Sequence, residues 1–413
     1  MDRSARFSRL YRNAALFLLN VVVLFVVANA GLYVLFRIKD ARTARHRLEN
    51  VARTHENAAL ASVYPGMDAG SIDQLVRETW SRPYEYEAFT QFKERACRGR
   101  FVNVDEAGFR VSKDQGPWPP NPKAYAVFLF GGSTAFGYGL PDDQSIASYL
   151  QEYVRANTSR DVRVYNFGRS SYTSAQERIL FEELVRAGFV PDLAVFFDGL
   201  NEFAFPDGPA ETQRLRAVFD TKPGAVDHWR LVSSLPMTRL ARALRRAVVA
   251  NGRRVDPQNL EPAAALNDPK YDDPVVIARV IDGYFENRRM IEAVAKEFGV
   301  DALFVWQPIP LYKYDLKYHV FATGDFGTNA FARHGYRYME RRVREGSLGT
   351  DFLWCADVQE SLAEPLYVDK VHYTARMSRL VASLIGERIV EQYSLDRAGS
   401  GDSIAHSVGS RQP

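Results

Sequence analysis

Five short apolar runs, separated by stretches of helical periodicity, constrain this chain more than any other feature. They read AYAVFLF (residues 124–130), VRVYNF (162–167), DLAVFF (192–197), DALFVW (301–306) and FLWCADV (352–358). A strand that is apolar at nearly every position needs cover on both faces, which is the condition of a strand inside a parallel sheet. The segments SIASYLQEYVRA and SAQERILFEELVRA follow the first two runs, and VVIARVIDGYFENRRMIEAVAKEF precedes the fourth. A last helix is expected after Thr374, whose hydroxyl can cap it and which places Met377, Leu380, Val381, Leu384 and Ile389 on one face. The expected fold is α/β, with three α/β/α layers around a five-stranded parallel sheet. RFVNVDEAGFRVS (100–112) alternates like a strand, turns at Glu106-Ala107-Gly108, and is expected to open the domain as a small hairpin.

Ahead of the rhythm lies AALFLLNVVVLFVVANAGLYVLF (14–36), uncharged and long enough to span a hydrocarbon core. The spacing predicts a basic tail over 1–13, a transmembrane anchor over 14–36, a polar stalk over 37–75, a folded domain over 76–395 and a disordered tail over 396–413. Ala28-Asn29-Ala30 has the form of a signal cleavage site, but cleavage would leave GLYVLF exposed, which favours an uncleaved anchor. Arg3, Arg6, Arg9 and Arg12 precede the span, while Arg37, Lys39, Arg42, Arg45, Arg47 and Arg53 follow it. That count disfavours export of the domain, yet long C-terminal domains translocate largely regardless of such charges. Residues 204–275 and 311–347 interrupt the rhythm after the third and fourth runs, at the strand ends where open α/β sheets bind ligands, and are candidate lids or substrate walls. The first contains Arg239, Arg242, Arg245, Arg246, Arg253 and Arg254, read either as a solvated helix face or as a contact for anionic lipid or glycan. Cys97 and Cys355 either pair or stay thiols, and the apolar run around Cys355 favours an inert core residue.

A net charge of +3, from 53 basic and 50 acidic side chains, gives no reason to expect a nucleic-acid partner. The glycine-rich stretch FLFGGSTAFGYG (128–139) first invites a phosphate reading, because Gly132 and Gly137 have P-loop spacing. Tyr138 stands where that motif requires lysine and Gly139 where it requires Ser or Thr, so the groups that hold a triphosphate and its magnesium are missing. No third glycine completes a dinucleotide fingerprint, and no cofactor is expected. What remains is Ser133 between strand and helix. A serine nucleophile needs a base, and the base needs an orienting group. YVDKVHYTARM supplies both, with Asp369 three residues before His372 in the loop between the fifth run and the last helix. Gly168 in NFGRSSYTS and Asn201 in FFDGLNEF, after the second and third runs, can present oxyanion donors at the same sheet edge. Trp306 and Gln307 in WQPIP either meet a substrate or simply build the fold. The histidines are scattered and no His-x-x-His or Cys-x-x-Cys pair occurs, so no metal site is expected.

Ser, Gly, Asn and Asp-x-x-His, in that order and after successive strands, resemble the SGNH hydrolase superfamily, also called the GDSL esterases and lipases, over about residues 120–395. The resemblance implies a flavodoxin-like sheet, with Ser133 as nucleophile, His372 as base, Asp369 as its partner, and an oxyanion hole from Ser133 N–H, Gly168 N–H and the Asn201 side chain. The nucleophile block reads GGST where the family name comes from Gly-Asp-Ser, and Glu202 stands where an Asp is usual. Both departures are similar to a bacterial envelope subgroup. The resulting expectation is a single-pass inner-membrane protein with a periplasmic serine esterase domain, acting on O-acetyl or other short acyl esters of an envelope or secreted polysaccharide. Polysaccharide biosynthesis or export proteins are the expected partners. Two alternatives stay open: an O-acetyltransferase using the same triad, and a catalytically silent glycan-binding or scaffold subunit.

Overall fold

The computed structural model describes residues 3–53, 57–204, 235–238, 240–241, 273–322, 326–346, 348–393 and 395. Nearly all of the 204–275 insertion, including Arg239, Arg242, Arg245, Arg246, Arg253 and Arg254, and the 396–413 tail lie outside the described residues. The chain divides into two compact units, one formed by residues 1–57 with 210–261 and the other by 58–209 with 262–413.

In the first unit, α1 (Arg3–Arg53) contains an apolar stretch, Phe7–Ile38, long enough to cross a membrane, with its side chains exposed. It runs past the expected limits at both ends, because the flanking arginines are good helix formers and nothing between them breaks the helix. Asn29, one of the two polar interruptions, turns its amide back to Phe25 O at 2.9 Å.

The second unit opens with α2 (Asn57–Val63) and α3 (Ala69–Trp80), the latter capped by Asp68, whose carboxylate accepts the N–H of Gly70 and Ser71. Leu60, Val63, Tyr64, Ile72, Leu75 and Val76 bury against Tyr138, Leu140 and Val368. The folded unit therefore begins near residue 58 rather than 76, and the end of the expected stalk is part of it. Short hairpin pieces follow: β1 (Tyr84–Glu87) pairs antiparallel with β2 (Gln91–Glu94), and β3 (Cys97–Arg98) with β4 (Asn103–Val104). The expected 100–112 hairpin is present as a short one: Val104 bridges Arg110, Asp105 N–H donates to Phe109 O and Val111 N–H to Asn103 O, each at 2.9 Å, and Arg110 also bridges Asn166 of the main sheet.

The main sheet contains β5 (Tyr125–Gly131), β6 (Val162–Asn166), β7 (Leu193–Asp198), β8 (Asp301–Trp306) and β9 (Phe352–Trp354), all parallel, in the order β6-β5-β7-β8-β9. Counting only these five, that is the 2-1-3-4-5 order of a flavodoxin-like sheet, as expected. Side-chain alternation sorts the two faces chemically. Val127, Leu129, Val195 and Leu303 point to one side; Phe128, Phe130, Phe196 and Phe304 point to the other, where the rings of Phe130, Phe196 and Phe304 stack at 4.9 and 5.4 Å. The aliphatic face is covered by α5 (Ile146–Ala156) and α10 (Ala375–Gln392). The aromatic face is covered by α6 (Ser174–Arg186), α8 (Pro274–Phe298) and α9 (Ala332–Arg344). Thr374 caps α10 through Met377 N, and the buried stripe is Met377, Val381, Ile385 and Ile389. Leu380 and Leu384, expected on that face, lie at its half-buried margin. Cys97 and Cys355 are both free thiols, and burial pushes the Cys355 thiol up to about 12.

Candidate active site

The first strand delivers Ser133. β5 ends at Gly131, whose φ of 152° suits glycine and which packs so closely on Ala135 and Phe197 that a side chain would not fit. The chain then turns directly into α4 (Ser133–Phe136), which is closed by Gly137 in the left-handed conformation. Ser133 is the first residue of this single turn, so its N–H has no intrahelical partner. Three buried polar side chains hold the turn from below. Arg110, fully buried, donates to Phe136 O at 2.7 Å, Gly137 O at 2.6 Å and Leu140 O at 2.5 Å, and pairs with Asp142 at 3.0 Å. Asn166 donates to Ala135 O at 2.9 Å, and Gln307 accepts from Thr134 Oγ1 at 2.6 Å.

The loop before α10 delivers the base. Asp369 Oδ1 accepts the N–H of Val371 at 2.9 Å and of His372 at 2.8 Å, folding three residues into one turn, and a bridge between Tyr367 and Tyr373 closes it from outside. The other carboxylate oxygen meets His372 Nδ1 at 2.7 Å, and His372 Nε2 lies 2.8 Å from Ser133 Oγ. A carboxylate facing Nδ1 accepts its proton, which leaves Nε2 to accept the Ser133 hydroxyl. Burial alone would raise the Asp369 pKa, but the adjoining imidazole and the two N–H donors outweigh it and bring it down to about 2. The imidazole is clamped by rings, stacked on Tyr138 at 5.3 Å and edge-on to Trp80 at 6.0 Å.

Ser133 and His372 open into a cavity of about 300 Å³, which Asn201 on α7 (Leu200–Ala204) also lines. Asn201 Nδ2 donates to Tyr172 O at 2.8 Å and lies against Gly132, where a Cβ would strike it. Gly168 does not line the cavity. Its N–H donates to Asn166 Oδ1 at 3.0 Å, and its Cα backs onto Phe136 N behind the nucleophile turn. Trp306 and Gln307 are also off the wall: Trp306 is fully buried among Tyr284, Phe203 and Tyr336, and Gln307 supports Thr134 from beneath. Both sit on the inner sheet, so close packing takes them away from a ligand.

The cavity wall contains residues that the motifs do not indicate. Trp80, Arg82 and Tyr84 come from the end of α3 and the start of β1, and Asn329 from the 311–347 insertion. Ser171, in the same SSYTS stretch as the loop after β6, also lines it with a positive φ of 59°, uncommon for a residue with a side chain. No local pattern marks these residues, because each reaches the site through packing of distant segments.

Behind Asn201 lies a group of carboxyls. Glu177 and Asp198 are buried, and Glu202 on α7 is half-buried, receiving Ser174 N at 2.6 Å and Ser174 Oγ at 3.1 Å. Burial pushes Glu202 up to about 7 against those two hydrogen bonds. Glu177 and Asp198 are both raised well above the carboxylate range, by burial first; the next cause is the charge of Asp198 and Glu202 for Glu177, and that of Glu202 for Asp198. The upward shifts of all three carboxyls mean that the cluster holds protons more tightly than free carboxyls do.

Residues 129–324 match the profile of the GDSL-like Lipase/Acylhydrolase family. No protein of curated function matches the chain in sequence. Solved structures with similarity include a GDSL-like lipase from Bacteroides thetaiotaomicron (12% identity, 66% of this chain and 91% of that one, TM-score 0.35) and a lipase from a goat rumen metagenome (10%, 64% and 97%, 0.37). An acetyl xylan esterase is a third (10%, 64% and 99%, 0.34). The profile covers the serine turn and the loops after β6 and β7 but stops before Asp369 and His372, which the geometry joins to Ser133. Residues 129–324 of this chain are a GDSL-like lipase/acylhydrolase domain, of the kind grouped in the SGNH hydrolase superfamily.

Proposed function

We propose that the chain is a membrane-anchored serine esterase that removes O-acetyl or other short acyl groups from an envelope or secreted polysaccharide. The observation that carries the chemistry is the unbroken contact from Ser133 Oγ through His372 to Asp369, at 2.8 and 2.7 Å, opening into a cavity. Ser133 attacks the ester carbonyl while His372 Nε2 takes its proton. Asp369 holds the ring and stabilises the imidazolium; His372 then returns the proton to the departing sugar hydroxyl. Water, activated by the same imidazole, releases the acid. The negative oxygen of the intermediate is met by the unused Ser133 N–H and by Asn201 Nδ2. With the Gly168 N–H committed to Asn166, Ser171 on the cavity wall is the third donor, through its N–H. The span Phe7–Ile38 supports anchoring; a bacterial inner membrane with the domain on its periplasmic side is part of the proposal.

One observation favours transfer to a sugar hydroxyl as the second reading: Trp80 and Tyr138 pack on His372 and limit the room for water beside it. Mass spectrometry of a glycan incubated with the protein separates the two, by acetyl groups lost or gained. A fluorophosphonate probe on the full-length chain tests the triad itself. Wild type is expected to be labelled and Ser133→Ala not. An unlabelled wild type, folded by circular dichroism, refutes the esterase and transfer readings together and favours a silent glycan-binding subunit.

A further inference from the structure

The cavity wall contains a guanidinium with no hydrogen-bond partner. Arg82 lines the cavity, and its Nε and both terminal nitrogens are buried without a hydrogen-bond partner. What touches the guanidinium is aromatic: its Cζ lies 4.2 Å over the Phe136 ring and 5.8 Å from the Tyr138 ring. The carboxyl whose charge it meets, Glu94, is buried, accepts Ser170 N–H at 2.7 Å, makes no hydrogen bond to it, and has its pKa raised by burial against the attraction of Arg82. The buried arginines Arg110, Arg169 and Arg288 all have acceptors within the fold: Arg110 binds three carbonyls and Asp142, Arg169 binds Glu87 with only its Nε unpartnered, and Arg288 binds Asp351. A guanidinium withdrawn from water, with every donor unused, is costly unless something else supplies an acceptor. Its planar fork matches a carboxylate in two parallel hydrogen bonds. The neighbouring wall is suited to a sugar ring: Trp80 keeps 40% of its surface exposed, and the Tyr84 and Tyr138 hydroxyls lie 3.3 Å apart beside it.

We propose that Arg82 is the anion-recognition residue of this cavity and that the glycan it receives is acidic, an acylated saccharide whose uronate carboxylate pairs with the Arg82 fork. An arriving carboxylate draws the guanidinium off the Phe136 ring, and that pairing sets the ester-bearing sugar in register with Ser133. The position of the ester rests on the esterase reading; the binding of a uronate does not.

The test has two arms on the full-length chain in detergent. In the first, calorimetry on the Ser133→Ala chain measures binding of an unesterified hexuronate oligosaccharide and of a neutral xylo-oligosaccharide of equal length. The uronate is expected to bind at least ~10-fold more tightly, and Arg82→Gln to remove that difference, as loss of one charge-assisted bidentate pair requires. In the second, kcat/KM is compared for acetylated uronate and acetylated neutral oligosaccharides. Arg82→Gln is expected to lower the uronate-to-neutral ratio by about 10-fold or more, chiefly through KM, with Arg82→Lys intermediate because it keeps the charge and loses the fork. A residue that merely supported the wall would lower both substrates together and leave the ratio unmoved, which overturns the proposal. So does a wild-type chain that binds the neutral oligosaccharide as well as the uronate. If the chain is not an esterase, the second arm is silent and the calorimetry alone decides.

Discussion

Glu202→Gln is the substitution whose effect the structure specifies most fully. Glu202 joins Asn201's helix to Ser174 at the start of α6 through two hydrogen bonds, and it shares a buried region with Glu177 and Asp198. Its pKa, ordinarily 4.5, is pushed up to about 7. The folded state therefore holds this proton more tightly than the unfolded chain does. Its contribution to stability is fully present below about pH 4.5 and is lost as pH rises through about 7. A shift of this size corresponds to about 3 kcal/mol as an upper bound, reduced by the residual exposure of the side chain. Glutamine keeps the size and an acceptor oxygen for Ser174 N–H and never ionises. Urea unfolding of the full chain, followed by near-ultraviolet circular dichroism at about pH 5 and about pH 8, reads the difference. Wild type is expected to lose of order 2–3 kcal/mol between the two conditions from this group, and the variant to lose correspondingly less, so the variant is the more stable at the higher pH. Equal slopes for wild type and variant, or a variant destabilised by the same amount at both pH values, would show that charge on Glu202 is not what the fold resists.

Other substitutions test the site directly. Asp369→Asn leaves the loop bonds nearly intact but faces His372 Nδ1 with the wrong group, so kcat is expected to fall by ~10³-fold or more in nitrophenyl ester hydrolysis. Because Asp369 is held down to about 2, its charge contributes stability that is present above about pH 4 and is lost only as pH falls through about 2; acid titration of Asp369→Asn should lack that final step. Gly132→Ala has a permissive backbone but places a Cβ against Asn201 Nδ2, so activity should fall by ~10²-fold with little change in melting temperature. Arg110→Gln strips donors from Phe136, Gly137 and Leu140 and leaves Asp142 unpaired, at a cost of about 3–5 kcal/mol in urea unfolding.

What was legible in the sequence was what neighbouring residues decide together. The five strands start within a residue of where the apolar runs place them, because a strand covered on both faces is apolar at consecutive positions and little else in a soluble domain is. The fifth run overreads: β9 stops at Trp354, while Cys355 and Ala356 stay buried beneath the following loop, and hydropathy does not distinguish a buried turn from a buried strand. The 100–112 hairpin forms but stays short: Val104 pairs with Arg110 about a turn at Asp105–Gly108, and Arg110 then bonds backbone to Asn166 at the sheet edge and directs its side chain into the nucleophile turn.

The triad was legible because Asp369 and His372 make one local turn and Ser133 makes another, and parallel topology brings all such turns to one sheet edge. The remainder of the site was not, and Gly168 shows why. A glycine in the loop after the second strand meets the type requirement for an oxyanion donor, yet Asn166, two residues away, takes its N–H, and Ser171 adopts the positive φ on the cavity wall instead. Residue type reports which backbone is permitted, whereas the direction of an N–H depends on which acceptor wins it, and that is settled by packing. The same holds for Arg82. Its sequence context, WSRPYEY, carries no motif, and the docking of α3 beside Tyr138 encloses the guanidinium in the wall of the cavity. In this domain the chemistry is set by local turns on a parallel sheet, while what the cavity accepts is set by a segment more than fifty residues upstream of the nucleophile, counted from its first helices.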